Sequence, residues 1–183
     1  GKMKKFVAIV VSSALLGWGS TGCEGTLPMP KPEPVQADIM GGSYQAADVL
    51  IQRAGRALKP NKPLLAATFV NIDDLNKASS FGRMVSKQVS SRFSEHGVQV
   101  VEMQLRNNVF IKQRGGEFLL SRELRNISSE HNAQAVIVGT YAVARKNVYV
   151  TARLVRASDS IVLASYDYSL PMDQDVAFML RNK

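Results

Sequence analysis

The sequence of 183 residues has a single cysteine, Cys23. One cysteine excludes an internal disulfide framework and any cysteine-based metal site. Histidine is almost as scarce. His96 and His131 stand far apart in sequence, with no second ligand at zinc-site spacing. Aromatic residues make up only 7% of the chain. No concentrated basic stripe with interleaved aromatics is present, so nucleic-acid binding is not expected. Several chemical signatures are also missing: GxxxxGK followed by Ser or Thr, GxGxxG after a strand pattern, HExxH, GxSxG and an EF-hand loop. No cofactor, no metal and no catalytic activity are therefore expected. No apolar run reaches the roughly 20 residues that cross a bilayer as a helix.

What is present begins at the N-terminal end. Lys2, Lys4 and Lys5 form a positive cluster, with Met3 the natural first residue among them. Phe6 to Leu16 is an apolar run of signal-peptide length, and small residues follow up to Cys23. Residues 1–22 therefore read as a secretory signal. Ser20-Thr21-Gly22-Cys23 resembles a bacterial lipobox, in which the cysteine thiol and the new amino group are acylated after cleavage. Several acyl chains of the palmitate type matter, because one chain alone anchors only marginally. Ser20 stands where the usual lipobox has leucine. Ser20 and Gly22 also suit an ordinary signal peptidase, which would leave Cys23 a free thiol. Lipidation at Cys23 is the expected outcome. Glu24 follows the cysteine; in such lipoproteins aspartate there marks inner-membrane retention, so the resemblance implies the outer membrane.

Residues 23–42 read as the lipidated cysteine and a tether. Pro28, Pro30, Pro32 and Pro34 favour an extended polyproline-II path. Removal of residues 1–22 leaves 20 basic against 15 acidic residues, a charge of +5. That suits a solvated surface and is compatible with contact to anionic lipid or an acidic polymer.

Residues 43–170 read as one domain. Ser43 is the expected cap of a helix to about Leu58, with Ala47, Leu50, Ile51, Ala54 and Leu58 at helical spacing. Leu64 to Val70 is an apolar run of strand length, which pattern alone does not separate from a short helix. Asn71-Ile72-Asp73-Asp74 reads as a polar turn rather than a carboxylate site. A helix from Ser79 or Ser80 to about Glu95 places Phe81, Met84, Val85, Val89 and Phe93 on one face, and Gly97 ends it. Val98 to Met103 is the next strand. Val109-Phe110-Ile111 fits a short strand or a buried loop, and Gln113 to Gly116 a turn. Ser121 caps a helix carrying Leu124 and Ile127. Ser128, Ser129 and His131 lie close in sequence, but no orienting group or oxyanion site accompanies them. Ala135 to Val143, Val148 to Val155 and Ile161 to Tyr168 are strands joined by turns. The fold class is α/β of the α+β kind: a single mixed β-sheet with helices packed on it, in the order α-β-α-β-α-β-β-β. The tail, residues 171–183, reads as a short docked helix or a partner-binding end.

Three pieces resemble the FlgO family of flagellar outer-membrane lipoproteins: Leu65-Ala66-Ala67-Thr68-Phe69-Val70-Asn71-Ile72-Asp73, Gly116-Glu117-Phe118-Leu119-Leu120-Ser121-Arg122-Glu123-Leu124, and Val138-Gly139-Thr140-Tyr141 with Val148 to Val155. A pattern like the third occurs in the N-terminal domain of TolB and in lipoprotein activators of penicillin-binding proteins. The resemblance carries no catalytic residues. It implies an outer-membrane lipoprotein that supports flagellar motility in a structural or assembly role. Its implied partners are the outer-ring proteins around the basal body or other outer-membrane lipoproteins, with self-assembly open. The competing reading is a lipoprotein regulator of cell-wall synthesis. Arg145, Lys146, Arg153 and Arg156, near the hairpins, are candidate contact residues by position.

Overall fold

A computed structural model of the chain describes residues 35–103, 110–112 and 118–182. The expected signal segment, Cys23, the proline-rich stretch up to Pro34, and the turn at 113–116 lie outside the described residues. Among those described, no helix is long and apolar enough to cross a membrane.

Helix α1 (Ile39–Ala54) starts earlier than expected. Its cap is Asp38, whose Oδ1 accepts from the Gly41 amide at 2.8 Å. Ser43 is inside the helix and fully buried, with Oγ placed to donate to Ile39 O at 2.8 Å. The Gly41-Gly42 pair, read as tether, is helical because the helix must pass close to the sheet. A Cβ on Gly42 would lie 2.9 Å from the Tyr168 ring. After α1 a 3₁₀ turn and the Pro60–Pro63 stretch lead to strand β1 (Leu64–Ala67) and strand β2 (Val70–Asn71).

Helix α2 (Ser80–Glu95) starts at the second of the two expected positions, is capped by Ser79, and ends before Gly97, whose φ of +79° suits glycine. Phe81, Val85, Val89 and Phe93 are buried, but Met84 is 44% exposed. The buried stripe instead takes in Gly82, Ser86 and Ser90, the small residues that let the helix lie close to the sheet. Ser86 Oγ donates to Ala67 O at 3.0 Å and Ser90 Oγ to Ser86 O at 2.8 Å, so neither hydroxyl is stranded.

Strand β3 (Val100–Met103) follows. The segment left open between strand and loop contains strand β4 (Phe110–Lys112), paired antiparallel with strand β5 (Phe118–Leu120) in a small separate sheet. Ser121 caps helix α3 (Arg122–Glu130), with Oγ accepting from the Leu124 amide at 3.2 Å. Strands β6 (Ala135–Val143), β7 (Asn147–Arg156) and β8 (Val162–Pro171) complete the main sheet. Helix α4 (Gln174–Arg181) forms the tail, docked through the fully buried Val176.

The main sheet runs β3-β1-β6-β7-β8, with β2 also on β6. Strands β3, β1 and β6 are parallel; β6, β7 and β8 form an antiparallel meander. The expected mixed sheet is thus present. Helix α1 packs on β7 and β8, and α2 on β1, β3 and β6. Leu64, Ala66, Ala135, Ile137 and the inward side of β7 join these helices in one core; Leu65, Ala67, Val136 and Val138 join Leu124 of α3 in the other.

One irregularity sets the details. Leu64 to Ala66 pair with Ala135 to Ile137, whereas Val70 and Asn71 pair with Thr140 and Tyr141. The register slips by one residue between β1 and β2. In a sheet such a slip exchanges the faces of all later side chains. An unbroken strand would put Phe69 with Leu65 and Ala67, toward α3. The slip puts it with Leu64 and Ala66, where it is fully buried beneath α2. There its ring occupies the space above Gly139: a Cβ on Gly139 would lie 2.3 Å from the ring. The Phe69 carbonyl in turn lies against α2, 2.1 Å from where a Gly82 Cβ would be.

Gly139→Ala should therefore destabilise the domain by about 1–3 kcal/mol, the usual cost of overpacking a core. Urea unfolding followed by circular dichroism is the measurement, and an unchanged midpoint would show that the ring can move aside freely.

Candidate functional site

None of the residues considered for catalysis forms a reactive constellation. Ser128 is buried, and its Oγ donates to Leu124 O at 2.7 Å within α3. His131 is the exposed C-cap of the same helix. Asp73 and Asp74 lie in the expected polar turn. The Asp73 amide donates to Asn71 Oδ1 at 2.8 Å, and Asp74 Oδ2 lies 3.7 Å from Lys77 Nζ. Among the described residues no group of three potential ligands could hold a metal ion.

His96 ties helices together. Its Nε2 lies 2.8 Å from Asp48 Oδ1, and the Arg92 guanidinium binds both oxygens of Asp48 at 2.8 and 3.0 Å. Arg92 also reaches Glu95 Oε2 at 2.8 Å and lies over the Tyr44 ring. The hydrogen bonds from Arg92 lead in holding the Asp48 carboxyl below the usual carboxylate range. This clasp is solvent-exposed, so its role is to set the α1–α2 register rather than to supply much stability.

A concave feature lies at the carboxyl ends of β2 and β6, a usual place for ligands in sheets with parallel strands. A cleft of about 300 Å³ is lined by Asn71, Lys77, Ser79, Tyr141, Val143 and Arg181 among others. Its buried polar groups are already engaged. Tyr141 OH donates to Ser79 Oγ at 2.8 Å, and Ser79 Oγ caps α2 through the Gly82 amide. The Ser80 amide donates to Asn182 O at 2.8 Å. These groups fasten α2, β6 and α4 together.

The side of β7 and β8 turned away from α1 faces solvent at Tyr149, Arg153, Asp167 and Ser169. Tyr149, Thr151 and Arg153 stand opposite Ser169, Asp167 and Ser165. Tyr149 is 52% exposed, and Arg153 has no ion-pair partner among the described residues. The expected alternation along β7 holds except at Val155, which is buried in the α3 core. Of the four basic candidates, only Arg153 stands on this face. Arg145 and Lys146 lie in the exposed β6–β7 turn, and Arg156 is at the opposite end of β7, bonded to Asp159 at 2.7 Å. They do not form one patch. Tyr149 and Asp167, which sequence reasoning did not single out, carry the aromatic and acidic character of the face. The outward phase of the β7 alternation was the signal available for Tyr149.

Comparison with known proteins now adds to this geometry. The family model described as FlgO protein matches residues 44–175. This chain belongs to the FlgO family. The match covers all three of the sequence pieces quoted above. No curated protein sequence matches the chain. Among solved structures it is similar to the C-terminal domain of LpoB from Salmonella enterica, at 10% identity and a TM-score of 0.51, over 72% of this chain and 97% of that one. It is also similar to LpoB of E. coli, at 11% identity and a TM-score of 0.50, over 93% of this chain and 87% of that one. At such identities the likeness shows a shared fold. In this FlgO-family chain the quoted pieces are largely architectural: Phe69 and Gly139 pack together, Ser121 and Leu124 start and bury α3, and Tyr141 meets Phe81 edge to face at 5.4 Å.

One strongly shifted group remains, and it too is architectural. Burial pushes the Tyr168 phenol up to about 12, opposed by the neighbouring Ser43 hydroxyl, and the phenol makes no hydrogen bond of normal geometry. Its folded value lies above the ordinary 10, so its neutral form contributes stability that is fully present below pH 10 and lost as pH rises toward 12. A rise of that size corresponds to about 2–3 kcal/mol. Tyr168→Phe should leave stability at pH 8 unchanged or slightly raised, since it deletes a stranded hydroxyl, and should flatten the decline between pH 10 and 12. Denaturant midpoints of both proteins across that range check this; identical declines would count against it.

Proposed function

We propose that this FlgO-family chain is a bacterial lipoprotein, anchored through Cys23 to the outer membrane, which supports flagellar motility without catalysis. It acts in assembly or structure at the flagellar base, through contacts with outer-ring proteins or other outer-membrane lipoproteins. The observation that carries the reading is the family match, which spans nearly the whole folded domain. The lipobox-like Ser20-Thr21-Gly22-Cys23 supports the anchor. The site chemistry agrees with a binding role: the polar groups at the cleft fasten helices, while the accessible face of β7 and β8 offers tyrosine, arginine and aspartate, side chains suited to protein contact.

A regulator of cell-wall synthesis is the competing reading, and the likeness to LpoB, at 10–11% identity, speaks only to the fold. Deletion of the gene should abolish or strongly reduce swimming while peptidoglycan synthesis stays normal. Swimming should return with the wild-type chain, while Cys23→Ser should move the protein to the soluble periplasmic fraction. Normal swimming with altered cell-wall synthesis would reject the flagellar role in favour of the regulator.

A further inference from the structure

Four of the nine exposed large apolar side chains among the described residues gather at one end of the domain: Val35, Met40, Met84 and Phe178. Their placement follows from the hydrogen bonds that set the helices. Ser43 meets Gln88 at 2.9 Å and Asp48 meets Arg92, so α1 and α2 lie side by side with their N-termini together. Met40 is one turn before Tyr44 and Met84 one turn before Gln88, at the open top of the same helix–helix seam. Helix α4 crosses this end. At its start Asp173 Oδ2 accepts from the Ala37 amide at 2.8 Å, and at its finish Asn182 O accepts from the Ser80 amide. Phe178, 61% exposed, lies on the outward side of α4 with Gln174, Asp175 and Arg181. A shallow groove of about 790 Å³ joins Val35 to the first turn of α4.

The chain before Val35 indicates what faces this end. Only eleven residues, 24–34, separate Cys23 from Val35, and four are prolines. At roughly 3.1 Å per residue, an extended polyproline path, they span about 34 Å. Because α1 begins at Ile39 rather than Ser43, the tether is shorter than the sequence alone implied. An acylated Cys23 therefore holds this end of the domain, before any other, near the lipid surface. Basic side chains flank it on α2 and α4: Arg83, Lys87 and Arg181. Of the carboxylates here, Asp38 and Asp173 are occupied with backbone amides at helix starts, while Asp175 is exposed in the first turn of α4 and Glu102 stands by Arg83 and Lys87. Exposed methionine and phenylalanine with long basic side chains at their edge is a pattern of a surface that lies on phospholipid.

From this arrangement we infer that the end formed by Val35, Met40, Met84 and Phe178 rests on the phospholipid surface, orienting the tethered domain so that the open face of β7 and β8 stays in solvent. This rests on the reading of Cys23 as acylated. The test uses acylated full-length protein, matured in cells and reconstituted in phosphatidylethanolamine–phosphatidylglycerol vesicles with brominated acyl chains. The one tryptophan, Trp18, precedes Cys23 and is lost on maturation. Phe178→Trp therefore supplies a single fluorescent reporter, Met84→Trp a second and Tyr149→Trp a control. The bromolipid should quench the Phe178→Trp and Met84→Trp proteins about twofold or more and leave the Tyr149→Trp protein nearly unchanged. Protein that floats with the vesicles while the Phe178→Trp and Met84→Trp reporters stay unquenched would overturn the inference and leave the anchor intact. Protein that carries no acyl chains and does not float would remove the anchor and the inference with it. A blue shift of the Phe178→Trp emission that grows with protein concentration in the absence of vesicles would overturn the inference in favour of a second copy on this face.

Discussion

The fold turns on the position of one ring. Phe69 lies where β1 has ended and β2 has not begun, and the one-residue slip in pairing with β6 moves it from the α3 side of the sheet to the α2 side. Two glycines make that position possible. Gly139 leaves the surface of β6 bare where the ring lies, and Gly82 lets α2 come down onto the Phe69 carbonyl. A fully buried phenylalanine contributes about 1.5–3 kcal/mol by removal from water. Its larger effect is geometric, because strand register, helix height and the α2 cap at Ser79 all adjust to it. Tyr141 follows from the same arrangement, set edge to face on Phe81 and bonded to Ser79.

This explains why the sequence pieces that identify the family are silent about chemistry. Leu65 to Asp73 and Val138 to Tyr141 come from opposite parts of the chain, yet they meet at the ring and its glycine. They specify an architecture. The surfaces proposed for contact use other residues: the tyrosine, arginine and aspartate on the open side of β7 and β8, and the apolar end where the chain enters the domain. The Asp48–Arg92–His96 clasp joins these themes, since it fixes the α1–α2 register that brings Met40 and Met84 to the same end.

Much of the fold was legible. The long alternation of Val148 to Val155, the Ser79-Ser80 pair and the cap Ser121 gave strand and helix positions directly, because each rests on local geometry. The mixed sheet followed from element order. Other features depended on distant partners. Nothing local shows that Asp38 caps α1 across Gly41-Gly42; Gly41 leaves room for the Asp38 cap and Gly42 for the Tyr168 ring. Met84 fits the apolar spacing of α2 but is displaced outward by Ser86 and Ser90, small enough for close approach to the sheet. The slip between β1 and β2 leaves no mark in an apolar run such as Leu64 to Val70. Candidate contact residues fared similarly: Arg153 was found by position, while Arg156 lost its claim to Asp159.

The most direct test of the central claim is a double-mutant cycle on Phe69→Leu and Gly139→Ala, with Gly82→Ala as a third arm, read by equilibrium unfolding. If the ring is what Gly139 accommodates, the cost of Gly139→Ala should largely vanish in the Phe69→Leu background, giving a coupling on the order of 1–2 kcal/mol. The cost of Gly82→Ala should persist there, because its obstacle is the backbone carbonyl of residue 69, which leucine retains. Strictly additive costs for Phe69→Leu and Gly139→Ala would contradict the account.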